Sequence, residues 1–302
     1  MNIDLNVISH IVLDDKVFYS EEPILTVKEV LGGPVSFASM VIPLLSKQVV
    51  GITSIGQNFP KKFIQYFDNI ENYTLRYFQS GNTTKFLHEI HDQKRNLFLL
   101  SKADNLDNFI PLQAGANACL ISPVYDEITK SSVEWAMKNH NFVGIDVQGF
   151  MRKKDKNNRI FTSFDEQFMK WLIQSVDIVK FSYNEAASFT QEKSLKEILN
   201  SLPSDNIQII TMGDKGLVYS NKGKHYKLSA PTRKEKDPTG SGDVLMTFVL
   251  SDTETKTELD FLLAYGMALV AEKVEHHKVE ALPEKNYEEI AEKILETKKE
   301  IK

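Results

Sequence analysis

In the segment Asp237-Pro238-Thr239-Gly240-Ser241-Gly242-Asp243, two glycines remove side chains directly ahead of an apolar, helix-patterned run over residues 244–250. The first N–H groups of a helix have no intrahelical partner and carry the positive end of its dipole, so such a start suits an anion of the phosphate kind. Asp243 is out of place in a site that merely stores phosphate, because its carboxylate repels the ligand. It fits a site that transfers phosphate. A substrate hydroxyl lying between can lose its proton to Asp243 as it attacks, while the amides of Gly240, Ser241 and Gly242 stabilise charge developing on the phosphoryl oxygens. Taken alone, the same residues also describe an ordinary glycine-rich helix start with a capping acid.

The elements that must position this loop read as alternating strands and helices. Val- and Ile-rich runs at 7–13, 49–54, 118–122, 142–147, 178–181 and 207–212 are mostly apolar without alternation, as in parallel strands covered on both faces. Helical patterns over 127–138, 165–174 and 195–202 separate them, and 258–275 and 287–299 close the chain. The fold class is therefore α/β with a mostly parallel central sheet. Residues 15–30 and 73–100 break the rhythm by alternating apolar with polar residues, which predicts a small half-exposed sheet inserted in the core as a lid. The whole of 1–302 reads as one domain. Strands at 216–220 and 225–228 form a hairpin through Asn221-Lys222-Gly223.

A net charge of −5 supplies no global basic field, which argues against nucleic acid as a partner. Cys119 is the only cysteine, so no intramolecular disulfide forms, and its apolar flanks make it a buried small hydrophobe. The amino terminus lacks the positive start of a secretory signal, and the weakly polar run 35–46 contains Pro43 and falls short of the roughly 20 residues a bilayer span needs. These features predict a cytoplasmic protein with no membrane partner. A metalloprotease is excluded: on a strand His88 and His91 point to opposite faces, reading as polar lid residues, and the helical His-Glu-x-x-His spacing is missing. The Walker-type phosphate loop is missing too.

With Asp14, Gly32-Gly33, Thr211-Met212-Gly213-Asp214-Lys215-Gly216 and Asp237–Asp243 in this order, the chain resembles the ribokinase-like, or PfkB, carbohydrate kinases over nearly its whole length. That resemblance implies a three-layer sandwich with a β-sheet lid, and a kinase using ATP and magnesium (Mg2+). Asp243 becomes the general base, and Gly240, Ser241 and Gly242 the anion hole. Asp14, Gly32 and Gly33 line the sugar, Thr84 closes over it from the base of the lid, and Thr211, Gly213 and Gly216 line the nucleotide. Gly266 lies in the region that borders adenine, although helix packing explains it equally well. Glu185 and Asp237 are the metal-side acids; Ser182 stands where the family's Asn-x-x-Glu motif has Asn. The lid implies a possible homodimer.

The strand at 142–147 ends in Asp146-Val147-Gln148-Gly149-Phe150-Met151-Arg152, a polar set at the carboxyl edge where open α/β sheets bind ligands. Asp146, Gln148 and Arg152 can read substrate hydroxyls, or serve as a turn acid and a surface charge. Together with Ser36, Thr83-Thr84 and Ser182–Glu185 they are similar to the branch that includes myo-inositol kinases, which favours a sugar or cyclic polyol acceptor. A nucleoside kinase, a 2-keto-3-deoxygluconate kinase and a binding protein that no longer catalyses are the alternatives.

Overall fold

The computed structural model describes residues 3–19, 21, 23–91, 94–203, 205–252 and 257–301. In chain order the elements are β1 (Leu5–Ile8), β2 (Val12–Phe18), β3 (Leu25–Gly32), α1 (Pro34–Ala38), β4 (Val49–Gly56), α2 (Lys61–Asp68), β5 (Tyr73–Ser80), β6 (Thr84–His91), β7 (Lys94–Ser101) and β8 (Ala118–Ile121). There follow α3 (Lys130–Asn139), β9 (Phe142–Asp146), β10 (Arg152–Lys154), β11 (Ile160–Thr162), α4 (Glu166–Ser175), β12 (Ile178–Ser182), α5 (Tyr183–Thr190), α6 (Leu195–Ser201) and β13 (Ile207–Thr211). The chain ends with β14 (Leu217–Asn221), β15 (Lys224–Leu228), α7 (Ser241–Ser251), α8 (Leu259–Lys273), α9 (Tyr287–Leu295) and β16 (Lys299–Ile301).

Among the described residues the main sheet has ten strands in the order β16-β15-β14-β13-β12-β9-β8-β1-β4-β5. From β13 to β5 every pairing is parallel, and β14, β15 and β16 add an antiparallel extension. Period-two alternation divides the apolar strand residues between two cores. Ala118 and Leu120 enter the core shared with α1 and α7 to α9, while Cys119 and Ile121 enter the one shared with α3 to α6. The result is the three-layer α/β sandwich expected from the apolar runs. Cys119 is fully buried, and burial pushes its thiol pKa well up, as suits a packing residue.

The lid is a separate four-stranded sheet, β3-β2-β6-β7, in which β2 and β6 are parallel. Its expected boundaries need one correction. Tyr73–Ser80 is not a lid strand: it pairs in parallel with β4 as the edge of the main sheet. Its alternation arises because an edge strand has one exposed side. Residues 20, 22, 92 and 93 of the expected lid spans lie outside the described residues.

Four crossings join lid to sheet, and buried His10 ties three of them together. Thr84 Oγ1 donates to His10 Nδ1 at 2.8 Å, His10 Nε2–H donates to the Asp104 carbonyl at 2.9 Å, and Ala103 N donates to Thr84 Oγ1 at 2.9 Å. Burial lowers the His10 pKa against the opposing pull of Glu127, so the neutral ring serves as donor on one side and acceptor on the other. One further expectation changes locally. The terminal helix stops at Leu295 so that Lys299–Ile301 can pair with β15, while the short helix after Gly33 ends at Ala38, ahead of the Pro43 turn.

Candidate active site

A cleft with about 230 Å³ of open space lies between the lid and the carboxyl edge of the sheet. The lid contributes Val12, Asp14, Phe86, His88, Arg95 and Leu97; the sheet edge contributes Asp146, Gln148, Arg152, Lys180, Ser182 and Glu185; Pro238 through Asp243 close it. Residues up to 231 positions apart thus meet at one place, because parallel strands all end at the same edge and the lid lies over it.

Gly240 caps α7 in a left-handed conformation (φ +83°), and a β-carbon there would lie 2.3 Å from the Phe37 ring. Only glycine meets both constraints. A β-carbon on Gly242 would lie 2.6 Å from Lys180 Nζ, so the missing side chain lets the ammonium reach the helix mouth. Ser241 Oγ is buried without a protein partner and lines the same cleft. The Ser241 amide is spent on the Pro238 carbonyl at 3.2 Å, but an orphan hydroxyl at a helix N-terminus is what a phosphate oxygen would complete.

Asp243 is 6% exposed, and its Oδ1 accepts a hydrogen bond from Ser122 Oγ at 3.0 Å. Burial and the neighbouring Asp146 charge raise its pKa to about 7, with Lys180, the Ser122 bond and Arg152 opposing the rise. A carboxyl poised near neutrality matches the demands of general-base catalysis. Its orientation is set by a chain of bonds: Arg152 Nη2 donates to Gln148 Oε1 at 3.0 Å, Gln148 Nε2 to Ser122 Oγ at 3.4 Å, and Ser122 to Asp243. Arg152 is itself fixed by the Val124 carbonyl at 3.0 Å.

Lys180 Nζ donates to Asp146 Oδ2 at 2.8 Å, and both side chains are buried. Burial opposes its charge, but Asp146, Glu185 and Asp243 outweigh that and hold the ammonium protonated far above neutrality. Fixed positive charge therefore stands beside the N-terminus of α7. From the lid, Lys16 Nζ reaches Asp237 Oδ2 at 2.5 Å, and Arg95 Nη1 donates to Thr239 Oγ1 at 3.4 Å. The lid is thus latched onto the loop that precedes α7.

Of the residues singled out in the sequence, Asp14, Gly33, Asp146, Gln148, Arg152, Glu185 and Gly240 to Asp243 all line this cleft. Gly32 lies just behind it, where a β-carbon would strike Asp14 Oδ2 at 2.5 Å. Thr84 does not line it; its hydroxyl is spent on the His10 clamp. Thr211, Gly213, Gly216 and Gly266 do not line it either. Gly216 (φ +89°) packs against the Leu228 carbonyl, and Gly266 against Leu245.

Residues that the sequence reading passed over are Ser122, Lys180, Arg95 and Lys16, and His88 was read only as a polar lid residue. A lysine inside the apolar run Ile178-Val179-Lys180-Phe181 was the available signal, since a buried lysine requires a partner.

Magnesium fits in part. Glu185 Oε2 accepts from Ser182 N at 2.6 Å in a capping box, leaving Oε1 for the cleft, and Ser182 supplies the cap that Asn would otherwise give. Both Asp237 oxygens are taken, by Lys16 and by Thr239 N at 2.9 Å. Among the described residues no three His, Cys, Asp or Glu side chains are grouped to hold a metal ion. An ion held mainly by donor phosphates and water, with Glu185 as its carboxylate, is the arrangement these residues allow.

The fold and the cleft together define a ribokinase-like phosphotransferase scaffold. A family model described as pfkB family carbohydrate kinase matches residues 7–286, and the chain belongs to that family. By sequence, no curated protein matches it. Among solved structures it is similar to a pyrophosphate-dependent kinase in the ribokinase family complexed with a pyrophosphate analog and myo-inositol. That match has TM-score 0.78 and 22% identity, covering 96% of this chain and 100% of the other. It is also similar to the nucleoside kinase of Methanocaldococcus jannaschii (TM-score 0.71, 18% identity, 98% and 99% covered) and to ribokinase from Thermotoga maritima (0.70, 15%, 97% and 100%). At these identities the likeness is one of fold. Among the described residues no helix is long and apolar enough to cross a membrane.

Proposed function

We propose that this protein transfers a phosphoryl group from a phosphoanhydride donor to a hydroxyl of a sugar or polyol, with Asp243 as the general base. The observation that carries this reading is the placement of Asp243. It is buried, poised near pH 7 and oriented by Ser122, at the mouth of an N-terminal anion hole that shares one cleft with Asp14 and Gln148. The acceptor hydroxyl lies between Asp243 and the phosphoryl group; its proton passes to the carboxylate as the oxygen attacks. Lys180, the Ser241 hydroxyl and the amides of Gly240 and Gly242 stabilise the phosphoryl oxygens through the transfer. Magnesium, held beside Glu185 by the donor's oxygens, would neutralise donor charge.

Myo-inositol is the first acceptor to test, since the motif pattern and the polyol bound in one similar structure agree. ATP is the donor of the sequence reading. Inorganic pyrophosphate is a second reading, favoured because none of Thr211, Gly213, Gly216 or Gly266 reaches the cleft. A cytoplasmic location belongs to the same proposal, as does a homodimer through the lid, where Leu25 and its neighbour Ile24 are 49% and 57% exposed.

The test is to incubate the protein with magnesium, ATP or pyrophosphate, and a panel of inositols, hexoses, nucleosides and sugar acids, following phosphorylated acceptor by mass. A phosphorylated polyol or sugar is expected. Transfer restricted to nucleosides or sugar acids would refute the acceptor assignment, and ligand binding with no transfer from either donor would refute the kinase.

A further inference from the structure

Asp14 and His88 are diagonal neighbours on the parallel β2–β6 pair, Asp14 in register with Phe86 and His88 with Lys16, and both line the cleft. Asp14 is 4% and His88 3% exposed, and His88 Nε2 lies 2.8 Å from Asp14 Oδ1. Burial acts to raise the Asp14 pKa, but His88, Lys16 and Arg95 outweigh it and hold the carboxyl below its ordinary value. An ionised carboxylate only accepts, so Nε2 must carry the proton it shares. For the ring itself burial lowers the pKa, Arg95 and Lys16 act in the same direction, and Asp14 opposes them without prevailing. The imidazole is therefore neutral, and Nδ1 presents a bare lone pair.

That lone pair has no partner: Nδ1 is buried and makes no hydrogen bond. The same ring lines the cleft beside Asp14, Phe86 and Leu97. A buried acceptor left unmade is costly, and in a substrate cleft a ligand donor removes the cost.

We propose that His88 is a specificity-determining residue of the acceptor site, accepting a hydrogen bond from one substrate hydroxyl at Nδ1 while its Nε2–H holds Asp14 in register for a second. This rests on the kinase reading above. Asp14 alone would accept from any hydroxyl within reach. The ring, pinned by its bond to Asp14, adds an acceptor of fixed direction, so the site distinguishes which carbon bears the hydroxyl. A site built to pair a hydroxyl rejects the analogue lacking it far more strongly than an apolar pocket does, by up to about 10⁴-fold.

The experiment measures kcat and KM of the full-length protein for its best polyol acceptor and for each monodeoxy analogue of it. Wild type is compared with His88→Gln, His88→Asn and His88→Phe. The Gln amide spans to the Nε2 position and can still donate to Asp14, whereas the Asn amide occupies the Nδ1 position. One deoxy position is expected to lose at least about a hundredfold in kcat/KM with wild type. His88→Gln and His88→Phe should raise acceptor KM about tenfold or more and largely erase that penalty, with kcat changed far less. His88→Asn should retain the discrimination. Unchanged KM and deoxy preference in His88→Gln and His88→Phe, in proteins melting like wild type, would overturn the role of Nδ1 and leave the kinase reading standing. Absence of transfer to every polyol by wild type would refute the kinase reading and this inference with it.

Discussion

The glycines that the sequence marks as ligand-binding fall into two sets, one at the start of α7 and one at Gly216 and Gly266, that are used differently. At Gly240 and Gly242 the missing side chains admit Phe37 and Lys180 to the mouth of α7, inside a cleft that also holds four carboxylates. At Gly216 and Gly266 the missing side chains admit the Leu228 carbonyl and the Leu245 side chain, away from that cleft. A glycine pattern reports that two parts of a chain come close. It marks chemistry only where charged groups converge on the space it opens.

The largest expected effect separates the two regions at their most charged point. Asp243→Asn should lower kcat by about two to four orders of magnitude, the usual range for a general base. The same substitution should raise the melting temperature at pH 8. A carboxyl whose pKa is about 7 in the folded protein, against about 3.9 unfolded, favours folding less as pH rises from 4 through 7, so removing its charge removes a penalty. Thermal unfolding and turnover on one preparation check both, and a melting temperature lowered at pH 8 would contradict the electrostatic origin of the shift.

The paired glycine substitutions come next. Gly240→Ala meets a left-handed backbone and the Phe37 ring together, so transfer should be lost and stability reduced by more than the ~1–2 kcal/mol of the backbone conformation alone. Gly266→Ala crowds the movable end of Leu245 at 2.7 Å within a helix that gains from alanine, and should change stability by no more than about 1 kcal/mol. Its donor KM should stay at the wild-type value. A selective rise in the KM for ATP, not for pyrophosphate, would instead put the nucleotide against α8 and make the two regions one site.

Much of the cleft lining was legible because each motif residue has a chemical reason to sit at a strand or helix end. The three-layer core was legible because unbroken apolar runs need cover on both faces. Tyr73–Ser80 was misread as lid because an edge strand of the main sheet alternates just as a lid strand does; only its partner distinguishes them. The pairs Lys16–Asp237 and His88–Asp14 join residues 221 and 74 positions apart, and no local spacing announces them. Asp237 was read as a metal-side acid, whereas its carboxylate is held by a lid lysine. That contact depends on how the lid closes, which a motif does not encode.

The central claim is that Asp243 takes the acceptor's proton from a pKa near 7. It is tested most directly by the pH dependence of kcat/KM for the best acceptor, between pH 5.5 and 9 at saturating donor. The base must be ionised to act, so log kcat/KM should be level above pH 7 and fall with unit slope as pH drops through about 7. A profile flat across that range would contradict the assignment.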